Sequence, residues 1–167
     1  MPVHPVQYLL IENLVFLAVS TLFLGVTGYA WRHLKPFTLP DAVPGWFFWW
    51  FGSVQVLGGI LPAGVLGWGI WSRNVPALLT LAPLTVILAL QVLAESLTLR
   101  RTASVIWVMV PYLYLPYRLW QIGEGWLWLD DKTSWLAWLL VFEFGVWLIN
   151  YLLDLAQLPH LFQWPSV

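Results

Sequence analysis

The chain has 167 residues, 60% of them hydrophobic and only 9% charged, with fourteen tryptophans and a formal net charge of −1. A soluble domain carries about 25% charged residues, so these side chains cannot cover a globule in water, and a lipid bilayer is the expected solvent. A near-neutral chain with no basic run argues against nucleic acid and against a polybasic surface anchor. The lack of cysteine excludes a disulfide, a thiolate nucleophile and a thiolate metal site. His4, His33 and His160 are scattered at segment ends, which argues against a multi-histidine haem or iron site. Lys35 and Lys132 fall in loops, which excludes a retinal-type Schiff base. The opening "MPVHPVQ" has no positive n-region, so no cleaved signal peptide is expected.

A spanning helix needs roughly 20 apolar residues, and five segments meet that length. The first covers residues 8–30 and ends at "WRHLK". The second covers 46–71, after the loop "PFTLPDAVPG". The turn "SRNV" leads into the third, 76–97, which stops before Arg100 and Arg101. The fourth covers 104–122. The fifth, 135–155, follows "GEGWLWLDDKTS" and precedes an amphipathic tail rich in Trp and Pro. Short connections make neighbours antiparallel. The expected fold is therefore an all-α integral membrane protein, a single bundle of five transmembrane helices, with the second and fourth kinked at their prolines. Arg32, Lys35, Arg100 and Arg101 fall on one side and Arg73 and Lys132 on the other, which places the N-terminus outside and the C-terminus in the cytoplasm. Most tryptophans sit near span ends, as an interfacial belt requires, while a few, Trp107 and Trp147 among them, are candidates to face inward and line a cavity.

The polar residues inside these spans carry the functional reading. In the second span Gln55, Gly59, Ala63 and Gly67 recur every four residues, a small-residue seam suited to close helix packing or to a ligand lying on its face. Pro62 on the same span predicts a bend. In the fifth span Glu143, Trp147, Asn150 and Asp154 share one stripe. A carboxyl group there must face protein or a water-filled cavity. In the fourth span, "VPYLYLPYRLW", Pro111, Tyr114 and Arg118 share a face, and Pro111 and Pro116 leave the carbonyls of Trp107 and Tyr112 without their helical donors. At 1.5 Å rise per residue, Arg118 lies about 6 Å and Glu143 about 13 Å below the same end of the bundle. This predicts an Arg118–Glu143 pair beside a tyrosine-lined cavity. The rival reading, the preferred one for Arg118 itself, has it snorkelling to the headgroups with Glu124 as its partner, while the two prolines still mark the cavity. Glu95 and Asp154 read as solvated helix-end charges near Arg100 and Arg101. Glu12 and Asn13 fit either a boundary cap or an inward-facing pair.

Residues 44–122 resemble the emopamil-binding/sigma-two-receptor (EXPERA) membrane domain. The matching pieces are "VPGWFFWWFG", the mid-helix proline of "GGILPAGV", the short turn before "VPALLTL", the acidic helix end "LAES" and "VPYLYLPYRLW". The resemblance implies a small helical bundle around a membrane-open cavity for sterols and other amphiphiles, and some members of that family are isomerases using intramembrane acids. Glu95 matches an acidic position of the family. Gln55 stands where its second-span acid would be, and Glu143 lies beyond the match.

The expected function is the binding of an apolar lipid, sterol-like or isoprenoid ligand in an intramembrane cavity, with Gln55, Tyr112, Tyr114, Tyr117, Arg118, Glu143, Trp147 and Asn150 as its polar and aromatic contacts. A structural accessory subunit of a larger membrane complex, carrying pigment or quinone, is the alternative from another class. A membrane-embedded isomerase comes third, because it needs a positioned acid and base. No cofactor is implied beyond a bound lipid, isoprenoid or pigment, and the expected partners are the bilayer, that ligand and, in the second reading, other membrane subunits.

Overall fold

Glycine, proline and a few capping side chains divide this apolar chain into helices. The computed structural model describes residues 5–33, 45–100 and 105–161, which are helical throughout apart from short turns and contain no strand. Helix α1 is Pro5–Ala30. Helix α2, Gly45–Gln55, passes through a π-helical segment, Val56–Ile60, into α3, Leu61–Ser72. Helix α4 is Val75–Arg100. A 3₁₀ turn, Val105–Val108, opens α5, Met109–Trp128, and α6 is Trp135–Leu161. Lys35, Arg101, the rest of the 34–44 loop and the tail after 161 lie outside the described residues.

Each expected proline effect has a local form. Pro62 stands in the first turn of α3, just after the π-helical segment, where the Leu61 N–H reaches back five residues to the Val56 carbonyl. Pro62 has no N–H, so the carbonyls one turn before it lose a donor, and the wider turn absorbs the mismatch. Pro111 falls in the first turn of α5, where an N–H has no intrahelical partner in any case. The disturbance expected around Trp107 is therefore a change from 3₁₀ to α geometry. Pro116 alone lies inside α5.

The connections are tight. Arg73 adopts the left-handed conformation with φ 56°, its N–H returning to the Ile70 carbonyl at 3.3 Å and that of Asn74 to the Gly69 carbonyl at 2.9 Å. The Asn74 side chain then caps α4 by accepting the Ala77 N–H at 3.0 Å. At the other hairpin the Lys132 ammonium donates to the carbonyls of Trp126, Leu127 and Leu129, closing the C-terminus of α5. Ser134 caps α6 through Ala137 N–H at 3.3 Å.

Between them, Asp131 Oδ1 accepts both the Thr133 N–H at 2.8 Å and its hydroxyl at 2.6 Å. The Thr133 hydroxyl, then its N–H, hold the Asp131 carboxyl below the ordinary carboxylate range. A folded pKa lower than the unfolded one means that the contribution of this turn is complete above the unfolded value, about 3.9, and is lost as pH falls through the folded value. The protection of the Thr133 amide, relative to its intrinsic exchange rate, is expected to fall only as pH drops below about 3.9, and Thr133→Val to move the Asp131 titration upward. A Thr133→Val titration that coincides with the parent's would reject this account of the turn.

Packing centres on α5, which lies against both α4 and α6; α3 packs on α4, the π segment on α6, and α1 on the outside of α4 and α5. The main core joins Val54 from α2, Leu81 and Leu84 from α4, Leu115 and Ile122 from α5, and Leu140 and Trp147 from α6. Helix α5 continues six residues past the expected end at Ile122, through two glycines that read as a loop. Burial explains this: Gly125 is enclosed between α4 and α6, where even a Cβ would find ordinary contact with Thr80 at 3.5 Å and Leu140 at 3.7 Å. Close packing against two helices outweighs a helix-interior glycine cost of about 1 kcal/mol.

Four helical stretches are long and apolar enough to cross a bilayer: Val6–Ala30, Phe48–Ser72, Val75–Arg100 and Trp135–Leu158. Helix α5, the fourth of the five expected spans, is not among them. Its polar side chains lower its hydropathy, and most of them are turned inward onto neighbouring helices.

Candidate functional site

The core contains a polar centre built from three helices. On α6, Leu136, Leu140, Glu143 and Trp147 are all buried, and their spacing of four, three and four makes one inward stripe. On α5 the buried face carries Tyr114, Leu115, Arg118, Gln121 and Ile122. The two stripes face one another, and α4 adds the buried Gln91.

Arg118 is 1% exposed, so it does not snorkel. One terminal nitrogen donates to Gln91 Oε1 at 2.7 Å, and Gln91 in turn donates to Glu95 Oε1 at 2.8 Å. The guanidinium lies 4.0 Å from the centre of the Trp147 ring, an arrangement in which the indole face offers negative charge. The Trp147 indole N–H donates to Glu143 Oε2 at 3.2 Å. Arg118 and Glu143 thus occupy the same level, nearer than the expected heights of about 6 and 13 Å put them because α5 runs on to Trp128, but they do not hydrogen-bond to each other. Trp147 joins them, by its face to one and by its N–H to the other. Glu95 and Glu143 both act electrostatically on the guanidinium.

Three polar atoms of this centre are buried without a hydrogen-bond partner: Arg118 Nε, its second terminal nitrogen, and Glu143 Oε1. Both residues line one cavity, together with Gly58, Pro62, Thr85 and Trp147. Its free space, about 10 Å³, takes one water molecule and no more. The π segment shapes one wall. Gly58 presses on Trp147 so closely that a Cβ would lie 2.8 Å from the indole carbons Cε2 and Cζ2.

The other anticipated contacts fall elsewhere. The tyrosines hold helices together and do not line the cavity. Tyr112 donates to the Asp154 backbone carbonyl at 2.6 Å, beside Asn150, whose amide reaches Asp154 Oδ2 at 3.2 Å. Tyr114 meets Phe16 of α1 edge-on at 5.1 Å. Tyr117 stacks on Phe16 at 3.8 Å and 8°, and its hydroxyl donates to Asn13 at 3.3 Å. Asn13 also accepts from Gln121 at 2.8 Å, and Glu12 accepts from Trp120 at 2.8 Å. Glu12 and Asn13 are therefore the inward pair of α1, and Glu124 faces Glu12 and Tyr8, away from Arg118. Gln55 is half-buried outside the cavity lining. Glu95 and Asp154 have Gln91 and Asn150 on their own helices as partners.

The seam of Gln55, Gly59, Ala63 and Gly67 is displaced by one residue. The packed positions are Val54, Gly58 and Pro62. Further on, Gly69 fits against Ala77, where a Cβ would meet its methyl at 3.2 Å. Ala63 and Gly67 are exposed. The indole of Trp147 selects the position that must lack a side chain.

A second, larger hollow lies on the outer face of α3. It is an open groove of about 590 Å³, lined by Ile60, Leu61, Gly64, Val65, Trp68 and Trp135. Trp68 and Trp135 meet edge-to-face at 5.5 Å and 79° at one end of it. Gly64 leaves its floor open, since a Cβ there meets nothing within 4 Å.

Gln91, Gly58 and the groove residues are what sequence reasoning missed. Gln91 and Glu95 at i and i+4 on an apolar helix were a signal for the first. No family model, curated protein or solved structure matches the chain.

Proposed function

We propose that this chain is a multi-pass membrane protein that holds the apolar chain of a lipid, sterol-like or isoprenoid molecule in the groove on α3. The observation that carries this is the groove itself. Its volume lies within the 300–1,000 Å³ range of small-molecule sites, its walls are apolar, and it opens sideways on a helix long enough to cross a bilayer. The paired indoles at its end suit the headgroup level, where a ligand's polar head would sit. The likeness of residues 44–122 to the EXPERA domain, with its membrane-open amphiphile cavity, supports the same reading. The polar centre at Arg118 and Glu143 is too small for such a ligand and serves the bundle from within.

Insertion is supported by an outer surface of exposed Leu, Ile, Val, Phe and Trp, far beyond what a soluble monomer shows. In this reading α5 also crosses the bilayer, which brings the spans to five. Its polar side chains are tolerated because they face other helices, and the Lys/Arg asymmetry favours an outside N-terminus.

Mild-detergent purification followed by native mass spectrometry tests the proposal. A lone chain retaining one or two defined apolar molecules is the expected result. Gly64→Leu, which fills the floor of the groove without meeting another atom at its Cβ, is expected to lower ligand occupancy at least tenfold while leaving the melting temperature within about 2 °C. Full occupancy in a folded Gly64→Leu chain would reject the groove.

One observation favours the accessory-subunit reading. Only Ser20 of α1 is fully buried, and Leu10, Leu14, Leu22, Val26 and Tyr29 leave one broad face of the helix exposed. A large co-migrating assembly, especially a coloured one, would select that reading.

A further inference from the structure

The polar centre has unused hydrogen-bonding capacity and a space that matches it. Arg118 and Glu143 are each 1% exposed, yet two guanidinium nitrogens and one carboxyl oxygen have no partner. A buried polar group left in this state costs about 1–3 kcal/mol, and more when charged. All three atoms belong to side chains lining the same cavity, whose size admits one water.

We infer that this cavity is a binding site for a single structural water that bridges Arg118 and Glu143. A buried water needs two to four polar partners, and the walls offer them. The Arg118 N–H groups donate and Glu143 Oε1 accepts. Other occupants fit badly. A metal cation would face the guanidinium, an anion would face the carboxyl group, and a carboxylate or hydroxylated ligand exceeds the volume.

The water changes what the centre is. Without it Arg118 and Glu143 communicate only through the Trp147 ring. With it, the chain Glu95–Gln91–Arg118–water–Glu143 is hydrogen-bonded from α4 through α5 to α6. It also gives the π segment a role, since the widened turn before Pro62 brings Gly58 to the cavity wall. This inference stands on the cavity and not on the α3 groove, so loss of the lipid-binding proposal would leave it intact.

A crystal structure of the intact chain from a lipidic mesophase, at a resolution that shows ordered solvent, tests it directly. The expected result is one peak within about 2.7–3.2 Å of an Arg118 nitrogen and of Glu143 Oε1. An empty cavity, or a side chain shift that brings Arg118 directly onto Glu143, would overturn it. Water-edited solid-state NMR on arginine-labelled chain in liposomes gives an independent reading. The Arg118 Nε–H is expected to receive water magnetisation early despite its burial, and to do so again in Glu143→Gln, which keeps an acceptor. Failure of wild-type Arg118 to receive it would equally overturn the assignment.

Discussion

Arg118→Leu is expected to destabilise the bundle by about 3–5 kcal/mol, the usual cost of removing one partner from a buried charged network. The leucine loses the 2.7 Å bond to Gln91 and the stack on Trp147, the second worth about 2 kcal/mol when desolvated. It also leaves the buried Glu143, and the half-buried Glu95 beyond Gln91, without the cation that acts on both. Arg118→Lys does not rescue the loss, because an ammonium has no planar face to lay on the indole and no fork to reach Gln91 and the cavity together. Removing the carboxyl group as well should recover much of the deficit. Arg118→Leu/Glu143→Leu is expected to be more stable than Arg118→Leu alone, with a coupling of about 1–3 kcal/mol. Denaturant or steric-trapping unfolding in micelles measures all four corners of the cycle. If Arg118→Leu stays within about 0.5 kcal/mol of wild type, the polar centre is not what holds α4, α5 and α6 together.

The level of this centre was legible in the sequence, and its wiring was not. Counting residues from a shared helix end places Arg118 and Glu143 near one another because the rise per residue is fixed. Whether two such groups touch depends on which way the helices are rotated and on what stands between them. Here Trp147, one turn from Glu143 on the same stripe, occupies the space where a direct pair would form. Gln91 belongs to a helix whose facing residues cannot be read from its own periodicity, since α4 is apolar nearly all round. The same limit explains the tyrosines. Their crowding beside two prolines marks an unusual helix, but the sequence does not reveal that α1 supplies Phe16 and Asn13 as partners.

The helices themselves were mostly legible, because a long apolar run has few alternatives. Errors fell where tertiary packing reverses a local preference. Gly123 and Gly125 look like a helix end, yet Gly125 is buried between Thr80 and Leu140, and that packing carries α5 on. The four-residue recurrence of Gly59, Ala63 and Gly67 looks like a packing seam, yet Gly58 does that work. The choice between adjacent glycines is made by a residue on another helix, far along the chain.

That choice supports a second expected result, on Gly58. Gly58→Ala is expected to cost about 1–3 kcal/mol, the range for overpacking a filled core, although alanine is otherwise the better helix former by about 1 kcal/mol. The added methyl would lie 2.8 Å from Cε2 and Cζ2 of Trp147 and 3.0 Å from its Nε1. The indole cannot swing away, since its face supports Arg118 and its N–H is committed to Glu143. Trp147→Phe removes the atoms the methyl would strike, and by itself costs about 1–3 kcal/mol through the lost N–H bond and the void left behind. In that background the penalty for Gly58→Ala should fall below about 0.5 kcal/mol or change sign, because the methyl then enters vacated space. Gly64→Ala is the control: its Cβ meets nothing within 4 Å, and it should be neutral or slightly stabilising. Equal penalties for Gly58→Ala in the wild-type and Trp147→Phe backgrounds would mean that the π segment has another reason to carry glycine. A penalty confined to the tryptophan background would show that one indole ring fixes the register of α2, α3 and the π turn on α6.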